Sequence, residues 1–271
     1  MEINAKDVMN LRNKTGLPMM DCKAALAEAQ GDTEKAEELL RKKLKGKMEA
    51  RSSRSAGEGR LGIKVDAGKA AAALVEVKAE TDFTAKSEKF IAAVNKLAEL
   101  VLDAPAGAVT ATPAMTAIVD DVRISTGENV SIGRLHKFGG TPGATRFGSY
   151  LHHDGKTGSV VVAEGTVGDE VLADICKHIV AAVPAPKGVS ANDIPAAIVE
   201  KERKFRIEQA MESGKPKEIA EKMVEGGMRK FFEEIALLEQ PFIKDPAKKI
   251  KDLVGGAKVT TFARWQIGEE V

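Results

Sequence analysis

Residues 61–77, LGIKVDAGKAAAALVEV, carry the pattern that decides the fold. Leu61, Ile63 and Val65 alternate with small or polar residues, and Leu74, Val75 and Val77 follow the turn formers Asp66-Ala67-Gly68-Lys69. A period of two broken by such a turn reads as a β-hairpin. The next apolar residues, Phe90, Ile91, Val94, Leu97 and Val101, recur at helical spacing. The same order returns at residues 147–165, FGSYLHHDGKTGSVVVAEG, which turn at Asp154-Gly155-Lys156 and precede a helix expected to bury Val171, Ile175, Ile179 and Val183. A hairpin followed by a helix, met twice, predicts a duplicated α/β core with antiparallel sheets. Its first half spans 61–140, and its second spans 141–190 and 239–271.

Working outward, residues 1–45 read as three short helices. Asn4 caps the first, with Ile3 and Val8 spaced as a hydrophobic staple, and Gly16 ends it. The second starts near Pro18 and carries Cys22, Ala25, Leu26 and Ala29; Gly31 breaks it, and Asp32 caps a third with Ala36, Leu39, Leu40 and Leu44 inward. So compact a unit resembles a ubiquitin-associated-like bundle. Residues 46–60, GKMEARSSRSAGEGR, lack apolar periodicity and read as a linker. Residues 191–238 read as a helical hairpin turning at Ser213-Gly214-Lys215-Pro216. Half of residues 200–235 are charged, which leaves Phe205, Ala210, Ile219, Met223, Phe231 and Ile235 as a narrow seam between the two helices. A last helix near Ala247 to Val254 and the strand VTTFARWQIG, returning to the second sheet, complete an α+β chain.

Composition narrows the function. Formal net charge is +1, so recognition by charge needs a local patch, and direct nucleic-acid binding is not expected. No apolar run is long enough to span a bilayer, which excludes a membrane partner. The N-terminal residues form no apolar leader, and the two cysteines, Cys22 and Cys176, lie far apart, as suits a reducing cytoplasm. Gly57-Glu58-Gly59-Arg60-Leu61-Gly62 matches a dinucleotide fingerprint, but it follows a linker and opens a strand, the reverse of the required context. Gly155-Lys156-Thr157 sits in a hairpin turn. None of His136, His152, His153 and His178 has a metal-ligand spacing, and His152 and His153, adjacent on a strand, would face opposite ways. No catalytic constellation, metal site or cofactor is expected. The chain is read as a non-enzyme that acts through its surfaces.

Two surface features stand out. Glu80-Thr81-Asp82-Phe83-Thr84 puts a large aromatic inside a polar turn, where Phe83 either staples the following helix or meets a partner. Met19-Met20 begins a helix with adjacent flexible apolar side chains, which cannot both face one core. These residues lie within TGLPMMDCKAALAEAQGD (15–32), ETDFTAKSEKF (80–90), GENVSIGR (127–134), SGKPKEIAEKMVEGGMRKF (213–231) and EQPF (239–242). In that order and spacing the segments resemble the bacterial elongation factor Ts family over nearly the full chain. Thr84 departs from the family's usual valine.

The resemblance implies a guanine nucleotide exchange factor whose partner is elongation factor Tu, GDP-bound and nucleotide-free. It makes Thr81, Asp82, Phe83 and Thr84 the loop that disturbs the magnesium and phosphate site of that GTPase. It makes Arg12, Met19 and Met20 the N-terminal docking face, and Thr126 and His152 secondary contacts. The helical hairpin would serve self-association or the same partner. Two rival readings are a ubiquitin-like-binding adaptor, suggested by the bundle alone, and an RNA-binding accessory factor using Lys45, Lys47, Arg51, Arg54 and Arg60.

Overall fold

The computed structural model of the chain describes residues 3–49, 52–212, 214 and 216–269. They fall into two compact units. The first comprises the described residues up to Lys64, Ala73–Lys137 and those from Ile267; the second comprises Val65–Ala72 and Phe138–Gln266.

The first unit begins with helices α1 (Ala5–Thr15), α2 (Met19–Glu28) and α3 (Thr33–Glu49). Asn4 accepts from the Lys6 N–H at 2.9 Å, and Gly16, at φ 73°, ends α1 by donating to the Arg12 carbonyl. Asp32 accepts from the Glu34 and Lys35 N–H groups at 3.1 and 3.0 Å. Local capping thus sets the boundaries, and Val8, Leu11, Cys22, Leu26, Ala36 and Leu40 form the small core, with Ile3 and Leu39 packed against it. The side chain of Leu44 lies outside the described set, as do those of Lys45 and Lys47 and the whole of Arg51. Helix α3 runs on to Glu49, inside the stretch expected to be linker.

Strands β1 (Glu58–Asp66) and β2 (Ala71–Ala79) follow, then α4 (Asp82–Ala85), α5 (Glu88–Leu102), β3 (Gly107–Ala108), α6 (Pro113–Thr126) and β4 (Ser131–Gly139). The sheet order is β1-β2-β4-β3. Strand β2 is buried along nearly its whole length, as befits an inner strand. Its buried Glu76 is paired by Arg134 on β4 through Nε at 2.8 Å and Nη2 at 3.2 Å, so the carboxylate keeps its charge partner. Helix α6 and strand β4 were not anticipated, although Thr112 and Pro113 start α6 and Gly127 ends it as local rules require. Helix α6 seats the N-terminal helices: Ile124 packs on their core, and Arg41 lies 3.7 Å from Asp121.

The second unit holds β5 (Thr145–Leu151), β6 (Thr157–Glu164), α7 (Asp169–Ala181), α8 (Ala196–Glu212), α9 (Lys217–Ile235), β7 (Pro241–Phe242), β8 (Asp245–Lys249), α10 (Ile250–Val254) and β9 (Lys258–Gln266). Strand β6 is central in β5-β6-β9, antiparallel to both neighbours. The duplication shows in one steric detail. A Cβ at Gly62 on β1 would lie 2.6 Å from Val94 on α5, and one at Gly148 on β5 would lie 2.6 Å from Leu172 on α7. Each half uses a glycine to bring its helix onto its hairpin. Gly62 therefore belongs to sheet packing, and the G-x-G-x-x-G string, from its second residue Glu58 onward, forms part of β1.

Four expectations are corrected. Val183 is 95% exposed, because α7 stops at Ala181 and the residue before Pro184 is driven from helical geometry; Leu172 and Cys176 fill the core instead. Residues 247–249 belong to β8, paired with β7, and the helix begins only at Ile250. Of the hairpin seam, Ala210 and Ile235 are buried and Phe231 is partly buried, but Phe205, Ile219 and Met223 are exposed; small residues let the helices approach, with a Gly227 Cβ only 3.1 Å from Arg206 Cδ. His152 and His153 lie past the end of β5 in a turn, where a strand's alternation no longer holds, and their ring centroids are 4.2 Å apart. Ser213 and Lys215 of the expected turn lie outside the described residues.

One buried polar network fixes a protonation state. The Ile243 N–H donates to His178 Nδ1 at 3.3 Å, leaving Nε2–H to donate to Gln240 Oε1 at 3.0 Å. Gln240 in turn donates to the carbonyls of Pro184 and Glu234 at 3.0 and 2.6 Å. Burial pushes the His178 pKa below its ordinary value, against an opposing effect of the Gln240 contact. The unfolded imidazole takes up a proton near pH ~6.5, which the folded ring refuses. The network's contribution is therefore complete above that pH and is lost as pH falls through the lower, folded pKa. An NMR titration of the His178 ring should place its midpoint below that of a model imidazole; a midpoint at or above it would refute the donor assignment.

Candidate functional site, an exposed phenylalanine on a braced turn

The chain leaves β2 at Ala79 and enters α5 at Glu88, and the intervening residues make the short helix α4. Thr81 caps α4, its Oγ1 accepting from the Thr84 N–H at 3.3 Å. Ser87 caps α5 by accepting from the Phe90 N–H at 3.3 Å, and its own hydroxyl donates to the Thr84 carbonyl at 2.8 Å. Both caps are conventional helix starts, so the geometry follows from local residue types. Between them Phe83 is 83% exposed, while Thr84 and Ala85 are buried beneath it. The staple reading of Phe83 is thereby excluded. Asp82 sits beside Phe83, with Lys86 Nζ 2.6 Å from its carboxylate.

The turn is also held from a distance. Glu128 accepts from the Thr81 N–H at 3.1 Å and from the Thr81 hydroxyl at 2.6 Å. The Asn129 N–H donates to Glu80 Oε1 at 2.6 Å, and the Asn129 side-chain amide donates to the carbonyls of Ser52 and Arg54 at 3.2 and 2.7 Å. Thr126 joins this group: its Oγ1 accepts from the Glu128 N–H at 3.3 Å and donates to the Val122 carbonyl at 2.9 Å. A large exposed aromatic on a turn with so many restraints is a fixed projection. Sequence reading singled out Phe83, and the family resemblance named Thr126, but neither pointed to Glu128 or Asn129, whose partners lie 47 and 49 residues away.

The second surface lies on the N-terminal helices of the same unit. Met19 and Met20 are 44% and 75% exposed, and Arg12 is exposed on α1. Met9, also exposed, precedes Arg12 by three positions and so shares its face of α1. The sequence signal for it was that Val8 and Leu11 take the inward positions of α1 and leave Met9 off that row. His152 belongs to the second unit, where its Nδ1 lies 3.2 Å from Asp154 Oδ1.

Among the described residues, no group of three or more His, Cys, Asp or Glu side chains converges to hold a metal, and no helix is long and apolar enough to cross a membrane. Burial pushes the Cys176 thiol up to about 12, so it rests as an unreactive core group.

The family model for elongation factor Ts matches residues 80–269, which includes the Phe83 turn, Glu128 and the helical hairpin. Curated relatives match over almost the full chain. The elongation factor Ts of Thioalkalivibrio sulfidiphilus is 42% identical over 100% of this chain and 94% of its own. That of Psychromonas ingrahamii is 42% identical, covering 99% and 92%, and that of Alkalilimnicola ehrlichii is 40% identical, covering 99% and 93%. With identity of this size across both units, the chain belongs to the elongation factor Ts family.

Proposed function

We propose that this chain is the guanine nucleotide exchange factor for elongation factor Tu, and that the Phe83 turn is the part that loosens GDP. The observation that carries this is the 83% exposure of Phe83 on a turn capped at both ends and braced by Glu128. Family membership supplies the partner. GDP is held in such GTPases chiefly through its phosphates and a magnesium ion. Asp82 and Phe83, inserted beside that site, disturb those contacts, while Thr81 and Thr84 keep the turn in shape from below. Thr126, next to the brace, and His152 serve as secondary contacts.

Exchange on this scheme makes and breaks no covalent bond in either protein. The factor binds the nucleotide-free GTPase more tightly than the GDP form, and by linkage GDP must weaken the factor by the same ratio that the factor weakens GDP. A chain that acts in translation elongation belongs in the cytoplasm, where Cys22 and Cys176 remain buried free thiols. The exposed Phe205, Met211 and Ile219 support a role for the α8–α9 hairpin in association, with the partner or with a second copy.

The direct experiment is release of a fluorescent GDP from cognate elongation factor Tu with and without this factor; no acceleration at saturating factor would refute the proposal. The Met19-Met20 face is assigned to docking. Changing both methionines to serine should raise the factor concentration needed for half-maximal release by roughly tenfold, since one or two apolar interface contacts are worth ~1–2 kcal/mol. The maximal release rate should stay nearly unchanged. If the maximal rate collapsed at unchanged half-saturation, docking and exchange would not be divided in this way.

A further inference from the structure

We infer that Glu128 is a positioning residue, which holds the Phe83 turn in the one place from which the ring can act. The inference rests on the proposed role of Phe83. Left to itself, α4 is a single turn of helix following an extended residue, too short to hold its own geometry. Its entry point is Thr81, and both hydrogens that Thr81 offers, the backbone N–H and the hydroxyl, are taken by the two oxygens of one carboxylate. Bonds to an ionised acceptor are the stronger kind, and a pair to one carboxylate fixes direction as well as distance.

The support beneath Glu128 is equally defined. Its own N–H donates to Thr126 Oγ1 at the end of α6. The next residue, Asn129, is buried; it ties Glu80 through its backbone and the carbonyls of Ser52 and Arg54 through its side chain. Arg54 Nη1 returns to Glu80 Oε2 at 3.6 Å. Glu128 thus connects the turn to the end of α6, the helix on which the N-terminal helices are seated. Loss of its carboxylate removes both restraints on Thr81 and loosens the entry to the turn while leaving the apolar cores untouched. Thr81 Oγ1, released from Glu128, keeps its acceptor role toward the Thr84 N–H, so α4 persists as a local element whose entry point is less closely held.

The test is a double-mutant cycle on stimulated GDP release at saturating factor. Glu128→Ala should slow release roughly tenfold, because a small misplacement of a positioned group is felt strongly in the rate. In a Phe83→Ala background the same change should have almost no further effect, since there is no ring left to position. Glu128→Gln retains one acceptor oxygen and should recover most of the loss. Independently of the partner, hydrogen exchange at the Thr81 amide in the free factor should quicken at least tenfold in Glu128→Ala, with amides of the α5 interior unchanged. Wild-type release by Glu128→Ala, or a loss that adds in full to that of Phe83→Ala, would overturn the inference while leaving the role of Phe83 intact. If Phe83→Ala itself released GDP normally, the proposed role of the ring would fall, and with it the positioning role of Glu128. General unfolding of Glu128→Ala, seen as faster exchange throughout α5, would also count against it, and the milder Glu128→Gln would then decide by its release rate in the same cycle.

Discussion

Phe83→Ala should slow factor-stimulated GDP release by roughly 30-fold and leave the thermal stability of the free factor nearly unchanged. The rate term follows from what interface anchors do: an aromatic ring that fills a partner's pocket is worth ~2 kcal/mol or more, and ~1.4 kcal/mol is tenfold. The stability term follows from geometry. The ring is 83% exposed, so its removal opens no cavity and strips little surface from the core. Thr84 and Ala85, the residues of the turn that do face inward, are left alone. Stopped-flow release at matched factor concentrations, with melting curves of the free proteins, measures both terms. Near-normal release by Phe83→Ala would sink the assignment of the ring, whatever happened to the melting temperature.

The parts of the fold that were legible in the chain are those set by neighbours in sequence. Alternation at Leu61–Val65 announced β1, the turn formers at 66–69 and 154–156 marked both hairpins, and the caps at Asn4, Asp32 and Gly16 marked helix ends that the structure keeps. The errors have tertiary causes. Ala247-Lys248-Lys249 reads as helix by propensity, yet pairing with β7 draws it into β8, since weak local preference yields to a sheet contact. Phe205 on α8 and Ile219 and Met223 on α9 have seam-like spacing, but only the packing of the two helices shows that they lie off the covered face.

The site divides in the same manner. Phe83 was conspicuous because a phenylalanine amid Thr, Asp and Thr has no periodic face to join. Its brace was not, because Glu128 acts across 47 residues of chain, and nothing near Glu128 distinguishes it from any solvated acid. Two readings of Phe83 stayed open in the sequence; the ring's exposure and the burial of Thr84 remove the staple reading and leave the partner reading as the proposal.

Phe90 supplies the opposite case, and the two phenylalanines together make the strongest physical test of inside and outside in this unit. Phe90 lies one cap further along, in the first turn of α5, where Ser87 accepts its N–H and its ring is wholly buried. It heads the inward row that continues through Val94, Leu97 and Val101. Truncating a buried phenylalanine removes its transfer free energy and leaves a cavity, together about 3–5 kcal/mol. In a unit of this size such a loss should lower the melting temperature by about 10 °C or more. Phe90→Ala assayed well below its own melting temperature should still stimulate GDP release at close to the normal rate, because no part of the ring reaches the surface. The expected pattern is therefore crossed, with Phe83→Ala stable and slow and Phe90→Ala unstable and nearly as fast as the unaltered factor. Should Phe90→Ala melt normally, the packing of α5 on the first sheet would be wrong. Should it melt low and also lose exchange at low temperature, the placement of the Phe83 turn would depend on the α5 core as well as on Glu128.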